Sequence, residues 1–447
     1  MPLAPDRSVP EATPGNRQDN KECGGREVRA DIIMERELTA TDWSNSPFEE
    51  ARDFGANQSG MRQFNERVVL QIIRRAGSLP KADIARVSNL SAQTVSIIIN
   101  QLIADELLVK QEKVKGRIGQ PSVPIALNPH GAYAIGVSID RHQVETLLVG
   151  FTGEVLNRTA QTYPYPDPQF IFPLIHHSIE FITRSIPAER RRRLAGIGVA
   201  APSFIVGKWE EELNAPPGVM AQWKNIDIRA QVSTPSGPPV FLAKDATAAC
   251  LAELMFGSGL EFPNYLYIFV GSFVGGGIVL NGSLFPGMFG NAGAIGSVPV
   301  PVYDAAGVLC GFRPLAECAS LFTLEDRLRP LGLSIEQATT GDSAAGLAIV
   351  QTWMVSSAKA IAHAIASSCA VIDFDGVVVD GEMPRNLLDD LVNAVSAELN
   401  AMRLDGIVRP WVHSGSVGAE APSLGSAILP IYSNFVPNDT ILRNLPD

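Results

Sequence analysis

Asp245 stands where an apolar run, "PVFLAKD", gives way to "ATAACLAE". A carboxylate at the end of a strand and the start of a helix can accept a hydrogen bond from a substrate hydroxyl or remove its proton. An acid in a first helical turn is more ordinarily explained by the helix dipole. Lys244 precedes it, and Glu317 closes a second stretch with chemical potential, "VLCGFRPLAE", in which Cys310 is followed by glycine. A thiol in such a turn suits a zinc knuckle, but a knuckle needs partners. The five cysteines (Cys23, Cys250, Cys310, Cys318, Cys369) contain no CxxC pair, which favours reduced, mostly buried thiols. The glycines of "GSFVGGGIVLNG" (271–282) and "VVDGEMP" (378–384) can cradle a phosphate with backbone N–H groups, and they serve a hairpin just as well.

The elements that must position these residues begin at Tyr133. "YAIGVSID", "VETLLVGF", "GIGVAAPSF", "PVFLAKD", "YLYIFVGS", "GGIVLNGS" and "GVVVDGE" are β-branched apolar runs. They alternate with helical patterns around 170–186, 245–256, 344–370 and 384–402, which is the signature of an α/β fold. A length of 447 residues leaves room for two to four domains, and 46% hydrophobic with 19% charged residues fits a globular chain. Apolar runs fall short of the roughly 18 residues a spanning helix needs, and "MPLAPDRSVPEATPGNRQDNKE" lacks the apolar core of a signal peptide, so a cytoplasmic protein without membrane contact is expected.

Ahead of this body lies a different kind of segment. Residues 1–60 are rich in Pro, Asp, Glu, Asn and Arg without sustained periodicity and read as a poorly ordered extension. From 61 to 128 the pattern is helical, then hairpin-like. "QFNERVVLQIIRRAG" places Phe64, Val68, Leu70, Ile72 and Ile73 largely on one face, "PKADIARVS" opens on Pro80, and "SAQTVSIIINQLIADEL" opens on Ser91 as N-cap. The third helix carries small polar residues early and turns Val95, Ile98, Ile99 and Leu102 inward. This is a helix-turn-helix, and "LLVKQEKVKGRIGQPSVPIALN" supplies a wing with a basic tip.

Residues 61–125 hold ten Lys or Arg against five Asp or Glu, a basic island in a chain of net charge −11. That distribution suits site-specific binding of double-stranded DNA; the bland alternative is a small α+β subdomain with a solvated basic loop. In the DNA-binding reading Ser91, Gln93, Thr94, Ser96 and Asn100 face base edges or phosphates, while Lys113, Lys115, Arg117 and Gln120 on the wing reach backbone or minor groove.

Taken together these segments resemble the ROK family (repressors, open reading frames, kinases), in particular its sugar-responsive transcriptional regulators. The resemblance spans about 61–437. It is carried by "VVLQIIRRAGSLPKADIARVSNLSAQTVSIIINQLIADELL", the wing "GRIGQPSVPIALNP", "AIGVSIDRHQVETLLVGFTGEVL", "KDATAACLAELMFG", "GGGIVLNGSLFPGMFGNAGAIGS" and "CGFRPLAE". It implies an N-terminal winged helix-turn-helix (61–128) followed by a two-lobed actin-like (ribonuclease H-like) domain of the sugar-kinase type (132–437). The lobes are expected at about 132–244 and 245–420, with the C-terminal helix packing back. The family's kinases hold ATP and sugar in the cleft, and Asp245 matches their aspartate base; Lys244 stands where a sugar-binding asparagine is usual, and Glu317 matches a sugar-contacting glutamate. The other such glutamate is replaced by Ala294.

The same resemblance exposes departures. The family's Asp-x-Gly-Gly-Thr phosphate turn is "SIDRHQVE" here, and its Gly-Thr-Gly is Gly271, Ser272, Phe273, so ATP binding and phosphoryl transfer are expected to be lost. The family's zinc ligands, one histidine and three cysteines, fall on Ser297, Val308, Cys310 and Leu315, so no metal is expected. The implied protein is a DNA-binding regulator, more a repressor than an activator, acting as a homodimer or homotetramer on a palindromic operator and sensing a small sugar-like effector through Lys244, Asp245 and Glu317. Lys244 would favour an acidic or phosphorylated sugar unless it pairs with Asp245 or Glu317. Two rivals remain open: an active sugar kinase with an accessory DNA-binding domain, and a ligand-independent regulator with a decayed cleft.

Overall fold

A computed structural model describes residues 58–112, 123–202, 215–304, 306–340 and 343–437, together with 210 and 213. The extension expected over 1–60 falls almost wholly outside the described residues, and so do Lys113, Lys115, Arg117 and Gln120.

The N-terminal head comprises α1 (Gln58–Ala76), α2 (Lys81–Ser88) and α3 (Ala92–Ala104) with a small sheet of β1 (Ser78–Pro80), β2 (Leu108–Lys110) and β3 (Pro124–Leu127) in the order β1-β3-β2. Pro80 takes the N-cap position of α2 rather than its first turn, with extended backbone angles that a proline supplies without cost. Asn89 ends α2 in the left-handed conformation, as its short polar side chain permits. The buried stripe of α1 is Val69, Leu70 and Ile73; Phe64, Val68 and Ile72 are only half-buried, while Arg67 and Arg74 of the same helix turn inward. Val95, Ile98, Ile99 and Leu102 of α3 are buried.

The body contains two five-stranded sheets of identical topology. In the first, β4 (Tyr133–Ile139), β5 (Gln143–Gly150), β6 (Val155–Thr162), β7 (Leu194–Ala201) and β8 (Val240–Lys244) lie in the order β6-β5-β4-β7-β8. In the second, β9 (Tyr265–Val270), β10 (Val274–Leu280), β11 (Ser283–Phe285), β14 (Gly376–Gly381) and β15 (Trp411–Ser414) lie in the order β11-β10-β9-β14-β15, the intervening β12 (Pro299–Tyr303) and β13 (Leu309–Pro314) forming a separate ribbon. In each sheet the first three strands are antiparallel neighbours and the last two add in parallel. The central strands are buried throughout and read as near-continuous apolar runs, as sheets covered on both faces must.

The longer helices are α4 (Pro168–Thr183), α5 (Asp245–Phe256), α6 (Leu321–Leu328), α7 (Ala344–Cys369), α8 (Arg385–Ala401) and α9 (Ala421–Phe435). α9 packs back onto β4, β7 and α5. Glycine permits the contact: a Cβ on Gly198 of β7 would lie 1.9 Å from the carbonyl oxygen of Ser426, and one on Gly425 would lie 1.8 Å from that of Ala248. One apolar cluster runs from Val69, Ile73 and Ile99 of the head through Phe151 to Ile428 and Ile431 of α9, so head and body share a core.

Candidate functional site

Two surfaces carry chemistry. The first is the outer face of α3. Ser91 caps the helix, its hydroxyl accepting the Thr94 N–H at 3.1 Å and lying 2.8 Å from the Thr94 hydroxyl, so both side chains begin as helix-start structure. Lys81 of α2 donates to Ser96 at 3.3 Å and to Asn100 at 3.0 Å, setting those side chains against α2. Gln93, Ile97 and Asn100 are exposed at helical spacing on one face. The amphipathic pattern of α3 assigns apolar residues inward, yet Ile97 is 59% exposed amid polar neighbours. An apolar side chain there suits the methyl group of thymine in the major groove. Ile97→Ala is expected to cost about 1 to 2 kcal/mol on operator DNA, roughly 5- to 30-fold, and nothing on unrelated DNA; anisotropy titrations on both would check it, and equal losses would rule out base contact.

The head is tied to the body by arginines. Arg67 of α1 donates to the carbonyls of Ser433 and Val436 at the end of α9 (3.0 and 3.3 Å). Arg74 donates to the carbonyl of Phe151 at 2.8 Å and lies over its ring, which meets Phe435 edge-on. Burial pulls the Arg74 guanidinium down to about 10, still cationic at neutral pH. From the body, Arg193 donates to the carbonyl of Asp105, the C-cap of α3, at 3.0 Å and pairs with Glu106 at 2.6 Å.

The second surface is a cavity of about 70 Å³ between the sheets. The β4–β5 turn brings Asp140 and Arg141 to it, the equivalent β9–β10 turn brings Gly271, Ser272 and Phe273, and Asp245, Glu382 and Ser423 complete the wall. The first turn is tight, Asp140 N–H bonding the carbonyl of Gln143 at 2.8 Å, and the Tyr163 hydroxyl clamps it by donating to the carbonyls of Asp140 and Gln143. Arg141 is 4% exposed. Its guanidinium lies 5.1 Å from the Phe273 ring and 5.3 Å from the Phe322 ring, welding the two turns together.

Burial pushes the Asp245 carboxyl up to about 6, with Asp140 adding to the rise against the Ala246 N–H and Lys244. The Glu382 carboxyl is also pushed up, first by burial and then by Asp140 and Asp245, against the opposing pull of the Ser272 N–H and Arg141. Both folded values exceed those of an unfolded chain, so the folded chain keeps protons that the unfolded one has shed, and stability falls as pH rises from about 4 toward and beyond neutrality. Glu382→Gln is expected to raise the melting temperature more at pH 8 than at pH 5, read by calorimetry; an equal shift at both would show that Glu382 does not titrate in this window.

The wall segment 415–420 is pinned by two fully buried carboxylates that sequence reasoning missed. Glu253 of α5 accepts the N–H groups of Ser416 and Val417 (3.1 and 3.2 Å) and the Ser416 hydroxyl. Asp380 of β14 accepts the N–H groups of Gly418 and Gly381 (both 2.9 Å) and the Tyr267 hydroxyl.

Of the predicted effector residues, Asp245 lines the cavity, whereas Lys244 and Glu317 are not among its lining residues. Lys244 is half-buried at the N-cap of α5 and Glu317 is exposed on the short helix Leu315–Ala319. At the positions that match the family's zinc ligands stand one hydroxyl, one thiol and two hydrocarbons, with Leu315 fully buried, and no group of three or more metal-binding side chains occurs among the described residues. This donor set does not fit tetrahedral zinc.

Twin sheets around a cleft, with a helix-turn-helix head tied to the body through α9, Phe151 and Arg193, define a chain that joins a DNA-binding head to a sugar-kinase-type body. The chain belongs to the ROK family: residues 134–432 match the model of that family, and residues 65–109 match that of winged helix-turn-helix DNA-binding segments. It is 24% identical over 277 residues to the xylose repressor of Bacillus spizizenii, covering 61% of this chain and 69% of the repressor. It is 26% identical over 246 residues to the DNA-binding transcriptional dual regulator NagC of Escherichia coli, covering 54% and 58%. Among solved structures, a ROK family transcriptional regulator described as a homolog of the Escherichia coli MLC protein superposes with a TM-score of 0.61 at 19% identity, covering 86% of this chain and 99% of that one. A ROK family glucokinase from Streptomyces griseus superposes with a TM-score of 0.52 at 19% identity, covering 67% and 99%. No helix among the described residues is long and apolar enough to cross a membrane.

Proposed function

We propose that this chain is a transcriptional repressor whose two-lobed domain binds a sugar or sugar derivative without phosphorylating it. The observation that carries the second half of this reading is the seat of Glu382. Its carboxylate accepts the Ser272 N–H and lies close against Gly271, in the very turn with which a kinase of this family would hold a phosphate. Across the cleft Arg141 fills the matching turn, its side chain stacked on Phe273. A nucleotide phosphate would have to displace one side chain and face the carboxylates of Asp140, Asp245 and Glu382. The cradle is thus closed by the protein's own groups, and phosphoryl transfer, which relies on positioning and charge stabilisation, has no frame.

DNA binding rests on the head, and the repressor role on relatives that carry that name. In this reading the protein acts as a homodimer or homotetramer on a two-fold symmetric operator. The test is footprinting of genomic DNA by the full chain, with and without a sugar panel, beside an assay of ATP-dependent sugar phosphorylation. Discrete sites weakened by one ligand, with no phosphorylation, support the reading. Turnover abolished by Asp245→Asn would replace it with an active kinase carrying an accessory head.

A further inference from the structure

We infer that the cavity takes a ligand bearing a positive charge beside its hydroxyl groups, an amino-substituted polyol rather than a neutral or acidic sugar. This rests on the reading of the cleft as the effector site. The cavity wall carries four carboxylates, from Asp140, Glu145, Asp245 and Glu382, against one guanidinium, from Arg141. Glu145 is accounted for, since Arg158 lies 3.3 Å from it and also bonds Glu420 at 2.7 Å. Arg141 leans toward Glu325 of α6, outside the cavity, at 3.9 Å. That leaves Asp140, Asp245 and Glu382 in one small, partly desolvated space, with Lys244 and Arg141 acting on Asp245 and Glu382 without an ion-pair contact among the described residues.

Carboxylates crowded in this way relieve their repulsion by holding protons or by meeting a cation. A phosphate or a uronic acid adds to the repulsion, and a neutral sugar leaves it unchanged. An ammonium group removes it, because three donors can face three carboxylates. This inference runs opposite to the expectation that Lys244 draws an acidic or phosphorylated sugar.

A second observation is independent of the acids. The Nε of Arg141 is buried and has no hydrogen-bond partner among the described residues, although its side chain lines the cavity. A buried donor without an acceptor is costly, and a ligand oxygen placed there would satisfy it. The hydroxyls of Ser138 and Ser423, both nearly buried, offer further polar contacts on the same wall. A ligand with an ammonium toward the acids and a hydroxyl oxygen toward Arg141 meets both demands.

The test is calorimetric titration of the full chain at pH 7 with hexosamines and 1-amino-1-deoxy alditols, each beside its parent neutral compound, with hexuronic acids and Mg²⁺ alone as further arms. At least one amine is expected to bind tenfold or more tightly than its parent, and to alter operator binding in the same buffer. Glu382→Gln is expected to narrow the ratio between amine and parent several-fold, and an unchanged ratio would remove Glu382 from the recognition. Equal or tighter binding of a neutral or acidic sugar, with operator binding altered, would overturn the charge inference and leave the sugar-sensing reading intact. Binding of Mg²⁺ alone would overturn the inference. No binding by any arm, with the operator footprint preserved, would overturn both.

Discussion

Glu253→Ala is expected to lower the thermal midpoint by on the order of 10 °C. Its carboxylate takes the N–H groups of Ser416 and Val417 and the Ser416 hydroxyl in a fully buried site. Alanine leaves these donors buried without an acceptor, at about 1 to 3 kcal/mol each before relaxation. Three donors stranded in this way cost about 3 to 5 kcal/mol net after relaxation, and a change of this size moves a large domain by roughly 2 to 4 °C per kcal/mol. Glu253→Gln keeps one acceptor oxygen but turns a donor toward other donors, and should fall between. Differential scanning calorimetry decides it; a shift under about 2 °C would mean that segment 415–420 is held by something else. Because Ala419 of this segment lines the cavity, the alanine variant should also lose ligand binding before it unfolds.

Arg74→Ala should leave ligand affinity in place and flatten the operator's response to it. α9 reaches from the cavity, where Pro422 and Ser423 form part of the wall, to the head, where Ser433 and Val436 receive Arg67 and Phe435 meets the Phe151 ring that Arg74 covers. Fifteen helical residues span roughly 22 Å, so one continuous helix touches both sites. A coupling of about 1 to 3 kcal/mol alters operator affinity roughly 5- to 150-fold, and the alanine variant is expected to lose most of that factor. Arg74→Met, which keeps much of the packing without the bond to Phe151, separates packing from hydrogen bonding. The measurement is operator affinity with and without saturating ligand. An undiminished ratio in Arg74→Ala would show that coupling runs instead through Arg193 and the end of α3 or through subunit contacts.

Much of this was legible in the sequence where one local rule governed. Ser91 announces the start of α3, the strand-to-helix switch falls at Asp245 as read, and the buried strands of both sheets appear as apolar runs. β6 was missed because its alternating residues are exposed or half-exposed at a sheet edge, which gives "VLNRTAQT" little apolar content. The spacing around Cys310 reads as a knuckle turn, whereas residues 309–314 form a strand paired with a proline-rich partner. Arg141, Glu382, Glu253 and Asp380 were not singled out for a different reason. Each sits beside an ordinary glycine turn, helix or strand, and its meaning comes from groups far along the chain: Arg141 from Phe273 and Phe322, Glu382 from Ser272 and Asp140, Glu253 from 416–417. The period of a sequence reports which side of an element is covered, and does not report what covers it.

The shared core has a consequence for how such a regulator can be re-engineered or diversify. Splicing a foreign head onto this body at 128–132 would cut through an apolar cluster that joins Ile73 and Ile99 to Phe151 and Ile428, and would strand Phe151 and the last carbonyls of α9 without Arg67 and Arg74. The head is therefore not an exchangeable cassette. A chimera should fold only if the incoming head brings its own inward arginines at the positions of 67 and 74 and apolar residues at those of 69, 70 and 73. New operators are reached more readily in place, by substitution at Gln93, Ile97 and Asn100, and new effectors by substitution at Asp140, Asp245 and Glu382, with the seam between head and body left as it is.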